Sequence, residues 1–241
     1  MPGLKLLARL LLPAACELCG RPLDAEASNW RLPVVACADC LAALRARAHQ
    51  PAWQLDGRPV RALFWYEDEV LGWVRRLKRG GQEALLHRLA GGWPDCPLPR
   101  GAGLRLTPVP ADARRTRERG GDHVARLAWL WGRRWGLDCV QPLRRRGGAH
   151  QIGLDRRERR HNLAGQLGLR RRAWGGRRLH PGPVLLVDDV VTTGATLLAC
   201  AEVLAAAGWE VRGALALALT PHPELRGPQL AGLTAWLDGS P

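Results

Sequence analysis

The stretch Val184-Leu185-Leu186-Val187-Asp188-Asp189-Val190-Val191-Thr192-Thr193-Gly194-Ala195-Thr196 constrains this chain more than any other. Its leading apolar run is too short for a helix and ends abruptly in charge, as a central parallel strand does. From Ala195 to Ala207 the sequence is rich in Ala and Leu and predicts a helix, with Gly208 where a C-terminal glycine belongs. Strand, acid pair, tight loop and helix start together make a site for a phosphate beside a polyol. The helix start offers free N–H groups and a partial positive charge to the phosphate. The two carboxylates can accept hydrogen bonds from sugar hydroxyls or reach them through a metal. A solvated strand end with an N-capping hydroxyl would need one acid and one Thr, not both acids and Thr-Thr-Gly-Ala-Thr.

Charge suits such a ligand. Across 241 residues, 36 Lys and Arg stand against 22 Asp and Glu, a net charge of +14. Lys5 and Lys78 are the only lysines, so arginine carries the excess. Phosphate-rich partners fit this balance: nucleotides, nucleic acid or pyrophosphate. A GC-rich genome produces the same arginine bias. The apolar fraction of 46% is ample for a core and argues against global disorder. No apolar run approaches the roughly 20 residues that span a bilayer. Leu10 to Cys16 imitates a lipoprotein signal, but Pro13 and Arg9 interrupt it, so a short amphipathic helix over Met1 to Ala15 and a cytoplasmic location are expected.

Four of the seven cysteines fall in two Cys-x-x-Cys pairs, Cys16 with Cys19 and Cys37 with Cys40. Pairs so spaced can bring four thiolates to one tetrahedral zinc, and Gly20 allows the tight backbone of a zinc knuckle. Such a site is closed and reads as structural. A redox pair or unrelated buried cysteines are the alternatives. Cys96, Cys139 and Cys200 are isolated, and Cys200 falls on the helix after Thr196 as a core residue.

Three units follow in order. Residues 1–50 hold the four-cysteine finger. Residues 51–100 form a connector in which Leu63 to Tyr66 reads as a short strand. There Val70, Leu71, Val74 and Leu77 give one apolar helix face over Glu67 to Lys78, and a further helix begins at Gln82. Gly91 to Gly103, rich in Gly and Pro, marks a boundary. Residues 101–241 open with a strand at Leu104 to Pro110, then the basic loop Arg114 to Gly121 and a helix over Asp122 to Trp135. Trp129 and Trp131 on that helix read as core. Strands at Cys139 to Leu143, Leu167 to Leu169 and Val211 to Leu219, with a helix capped by Asp155, complete the pattern. Strands alternating with helices predict an α/β fold: a doubly wound parallel sheet with ligands at the carboxyl ends of its strands, joined to a small N-terminal zinc-finger domain.

The loop over Asp188 to Thr196 resembles the signature that binds phosphoribosyl pyrophosphate (PRPP) in type I phosphoribosyltransferases. The order of features resembles the ComF family, also called GntX-like, in which a four-cysteine zinc finger precedes a type I phosphoribosyltransferase domain. The resemblance runs from Cys16 to about Leu219 and includes Leu77-Lys78-x-Gly80, Pro108-Val109-Pro110, Arg119-Gly120, Gln151-x-Gly153-Leu154 and Arg159-x-x-Asn162. It departs after Arg119-Gly120, where the family carries an aromatic, Asn and Gln and this chain has Gly121-Asp122-His123.

The resemblance implies that Asp188 and Asp189 hold the ribose hydroxyls. Val190, Val191, Thr192, Thr193, Gly194, Ala195 and Thr196 would complete a cradle for the 5-phosphate. Mg2+ would accompany PRPP, bridging pyrophosphate and ribose hydroxyls. Arg114, Arg115 and Arg119 are placed to contact pyrophosphate, or form a solvated basic face. Arg159, with Gln151 and Asn162, occupies the position of a loop that closes over such sites; Arg159 and Asn162 could equally be helix surface. Lys78 reads as a functional residue or as a helix-end lysine facing the dipole. His123, His150 and His161 are possible acid–base groups, though surface histidines are commoner. The family further implies a role in DNA uptake and natural transformation, often beside a helicase. Two functions follow: an enzyme transferring the phosphoribosyl group to an unidentified acceptor, or a single-stranded nucleic-acid-binding protein with a PRPP-sensing pocket.

Overall fold

A computed structural model describes residues 15–16, 18–22, 37–46, 51–79, 83–91, 103–145, 165–170 and 179–221. The helix expected before Ala15, the helix from Asp155, and the residues Gln151, Gly153, Leu154, Arg159 and Asn162 lie outside them. So do Gly80, Cys96, His150 and His161. Among the described residues the order is α1 (Ala38–Ala46), β1 (Ala52–Leu55), β2 (Arg58–Trp65), α2 (Asp68–Leu77), α3 (Glu83–Gly91), β3 (Arg105–Pro108) and α4 (Ala113–Arg119). There follow α5 (His123–Trp135), β4 (Leu143–Arg145), β5 (Leu167–Leu169), β6 (Pro183–Val191), α6 (Ala195–Ala205) and β7 (Glu210–Leu219).

The main sheet runs β1-β2-β7-β6-β3, with β1 antiparallel to β2 and every other pairing parallel. This is the α/β architecture the strand–helix alternation predicts. The strand expected at Leu63 to Tyr66 is longer, and β2 pairs directly with β7. The segment before residue 100 therefore adds two strands to the sheet. Its eight-residue β2 alternates weakly because both of its faces are covered, which hides a strand from period-two reading. The strand expected at Cys139 to Leu143 divides: Cys139 makes a single parallel bridge to Leu106, while β4 begins at Leu143 and pairs with β5 in a separate ribbon.

Successive residues of β6 face opposite ways. Leu185 and Val187 join one core with Leu63, Phe64 and the inner faces of α2, α3 and α5. Val184 and Leu186 join another with Val60, Ala62 and the helix α6. Helices thus cover both faces. Helix α5 buries Val124, Leu127, Ala128 and Trp131, and burial of each large apolar side chain is worth about 1.5–3 kcal/mol. Asp122 caps α5 by accepting hydrogen bonds from the Val124 and Ala125 N–H groups, both at 3.0 Å. Gly136 ends the helix in the left-handed conformation. Trp129 departs from expectation: it is 38% exposed, while Trp131 is buried. Helical spacing puts two positions two apart on different faces, so one period cannot bury both.

Candidate active site and metal centre

From β3 the chain passes through α5 on one face to Cys139, which bridges β3 on the edge away from β6, whereas from β6 it passes through α6 on the other face to β7. The winding therefore changes direction between β3 and β6, and in open α/β sheets ligands bind beyond the carboxyl ends of strands at such a point. β3 stops at Pro108 opposite Val187, whereas β6 continues to Val191 beside Leu219 of β7. Asp188 and Asp189 therefore emerge where β6 has lost one neighbour.

The two acids lie in unlike surroundings. Asp189 is buried, and its Oδ2 meets His123 Nε2 at 2.7 Å and Lys78 Nζ at 3.1 Å. Its Oδ1 accepts from the Val190 N–H at 2.7 Å. Burial opposes its ionisation, but the His123 hydrogen bond and the Lys78 charge outweigh burial and hold the carboxyl at about 2. Asp188 Oδ1 accepts from the Asp189 N–H at 2.8 Å. Burial, and then the neighbouring Asp189 charge, push Asp188 well above the usual carboxylate range. Strand alternation turns Asp188 to the α6 face and Asp189 to the face of α2 and α5; burial, and then the Asp188 charge, raise the thiol of Cys200, a core residue of α6. His123 stands in the departing segment Gly121-Asp122-His123. Sequence reasoning named Lys78 and His123 but gave neither a partner, because the residues that meet are far apart along the chain.

The loop from Thr192 to Gly194 leads into α6 with no side-chain cap at Gly194; Thr193 Oγ1 lies 3.4 Å from the Ala195 N–H. Gly194 adopts φ 71°, and a Cβ there would meet the Leu55 side chain and approach Trp53. Only glycine satisfies both conditions. Thr192 and Thr193 are exposed, and Ala195 and Thr196 are half-buried. The helix start is thus open to an anion, with β1 behind it.

Beside the acids is a cavity of about 790 Å³. Pro108, Arg117, Trp129, Arg144 and Arg145 are among the residues lining it, as are Leu77, which precedes Lys78, and His123. Neither acid nor the Thr192–Thr196 loop lines it; His123 connects the two. Arg114 is exposed and pairs with Glu118 at 2.8 Å, away from the cavity. The side chains of Arg115 and Arg119 lie outside the described residues.

The four cysteines converge, with sulfurs all within 4.8 Å of one another and Cys19 Sγ 3.9 Å from Cys37 Sγ. A tetrahedral zinc with Zn–S bonds of about 2.3 Å places its sulfurs about 3.8 Å apart, so the set can hold zinc. The backbone is a knuckle: the Gly20 N–H donates to the Cys16 carbonyl at 2.7 Å, the Cys16 N–H donates to the Arg21 carbonyl at 2.7 Å, and Gly20 has φ 81°. The Cys37 N–H points at Cys16 Sγ from 3.3 Å. Desolvation opposes ionisation of Cys19, yet hydrogen bonds from Arg21 prevail and lower its thiol to about 6. Burial, then the neighbouring thiols of Cys37, Cys19 and Cys16, raise Cys40. Cys16, Leu18 and Cys40 share a core with Trp73, Val74 and Leu77 of α2. Arg76 of α2 donates to the Leu18 carbonyl at 3.4 Å.

Among the described residues, no helix is long and apolar enough to cross a membrane. No family model matches the chain, and no curated protein matches its sequence. Among solved structures it is similar to an orotate phosphoribosyltransferase from Aeropyrum pernix, at 18% identity over 73% of this chain and 78% of that one, with a TM-score of 0.33. It is also similar to an adenine phosphoribosyltransferase from Thermoanaerobacter pseudethanolicus, at 17% identity over 74% of this chain and 87% of that one, with a TM-score of 0.35.

Proposed function

We propose that the chain is a ComF-like protein that binds PRPP with Mg2+ and transfers its phosphoribosyl group to an acceptor. The observation that carries this reading is the acid pair at the reversal point of the sheet, followed at once by an uncapped helix start. Asp188 and Asp189 take the ribose hydroxyls, and Thr192 to Thr196 take the 5-phosphate. Pyrophosphate extends toward the arginine-lined cavity, past His123. When bound, Mg2+ neutralises charge on the leaving pyrophosphate. The chain's own residues work by position and electrostatics: carboxylates beside a ribose ring that gains positive charge, and cations beside the departing anion. Arg115, Arg119 and Arg159 are retained as further pyrophosphate or loop contacts. Cys16, Cys19, Cys37 and Cys40 hold a structural zinc that supplies stability a small knuckle lacks.

A second reading rests on Trp129. Arg126 and Arg133 lie over its exposed ring, at 4.2 and 5.1 Å from the centroid. An exposed aromatic among cations suits single-stranded nucleic acid, whose bases stack and whose phosphates attract arginine. A role in DNA uptake beside a helicase would use this face.

Calorimetry with PRPP and Mg2+ tests the first reading. Binding is expected, and Asp188→Asn combined with Asp189→Asn should abolish it; retained affinity in the double variant refutes the site. A pyrophosphate-release screen over candidate bases then separates an enzyme from a sensor. Elemental analysis of the same preparation should find about one zinc per chain.

A further inference from the structure

Asp189 is more heavily engaged than a sugar-binding carboxylate needs to be. Two donors converge on its Oδ2, and they arrive from different elements: Lys78 caps the C-terminus of α2, and His123 is the first residue of α5. Its Oδ1 is already engaged by the Val190 N–H. A carboxylate oxygen holding two donors has little capacity left for a hydroxyl. A buried ion pair is also weak evidence for stability, because desolvating both charges offsets most of their attraction. The arrangement makes better sense as a resting contact that a ligand exchanges.

The two donors are placed for that exchange. The Lys78 side chain is 36% exposed, against 10% for Asp189, so its ammonium can turn without unburying the carboxylate. Its neighbour Leu77 and His123 both line the cavity, and Arg117, Arg144 and Arg145 line it too. An anion entering the cavity would meet those guanidinium groups and reach the His123 ring, in a space ample for two linked phosphates.

We propose that Lys78 and His123 are the inner end of a diphosphate subsite, held on Asp189 while the site is empty and handed to the ligand's anion when it binds. The hand-over frees Asp189 Oδ2 for sugar hydroxyls. Diphosphate and sugar would therefore bind cooperatively, each releasing a group that the other uses. The sugar half rests on the function proposed above; the anion half does not.

The test titrates the full chain separately with inorganic pyrophosphate and with ribose 5-phosphate, in wild type, Lys78→Gln, Lys78→Arg and His123→Ala. Lys78→Gln keeps the stem and a donor but removes the charge. Pyrophosphate affinity should fall tenfold or more in Lys78→Gln and several-fold in His123→Ala, and Lys78→Arg should recover most of the loss. Ribose 5-phosphate should bind these variants as well as wild type, or more tightly. If pyrophosphate affinity is unchanged, if wild type binds none, or if both ligands weaken together, Lys78 and His123 merely hold Asp189 and the proposal is wrong. Lys78-dependent pyrophosphate binding without any ribose 5-phosphate binding supports the subsite and removes the phosphoribosyl reading.

Discussion

Two carboxyls that follow one another in a strand must face opposite sides of the sheet, and here the two sides treat them differently. Asp189 has the His123 ring and the Lys78 ammonium as partners, and its depressed pKa stabilises the fold. That contribution is fully present above the ordinary carboxylate value of about 4 and is lost as pH falls through about 2. Asp188 has burial and a like charge for company, so its raised pKa carries the opposite sign: ionising it as pH rises costs stability. The single amide variants should therefore diverge in thermal melts near neutral pH. Asp189→Asn should lose about 1–3 kcal/mol, because it removes the charged partner from Lys78 and His123. Asp188→Asn should gain about 0.5–2 kcal/mol while weakening ligand binding, the usual trade at a functional site. Equal losses from both would contradict the assignment. The sequence alone singled out these acids, because a strand ending in two carboxylates and a hydroxyl-rich turn is a local pattern. It did not show their inequality. That depends on Lys78 and His123, whose distances along the chain no periodicity reports.

At the scale of elements, α2 and α5 do more than cover the sheet. Helix α2 packs its Trp73, Val74 and Leu77 against the cysteine knuckle, and its next residue grips Asp189. One short helix thus spans the distance from the cysteine cluster to the acid pair. Helix α5 buries Trp131 on one side and offers Trp129 between two arginines on the other. If that outer face binds single strands, affinity for an oligothymidylate should fall steeply with added salt. Trp129→Ala should weaken binding by about 1–3 kcal/mol with little change in the salt slope. Anisotropy titrations at several ionic strengths would decide, and identical affinity in the variant would clear α5 of the role. The limits of α5 were legible because apolar spacing is local, whereas α4 was read as a basic loop because its arginine-rich sequence gives no apolar period. The exposure of Trp129 was not, since a composition rich in Trp says nothing of which face each takes. β2 was read short for the reason given by its two covered faces.

For the whole molecule, the pairing of β2 with β7 has a consequence for how the chain is made. Val60 aligns with Ala214 and Trp65 with Leu219, so the two strands meet across most of the sequence. Contacts of such long range close large loops and slow folding, and they form late. During synthesis β2 leaves the ribosome early with its partner still untranslated, and its apolar residues Val60, Leu63 and Phe64 have no strand beside them. β1, joined to β2 by a tight turn, is available at once to cover the opposite edge. The knuckle and α2 are likewise complete before β3 is made. The nascent N-terminal part therefore emerges as a partly shielded unit that waits for β7, which joins β2 to β6 and sets the end of β6 in place.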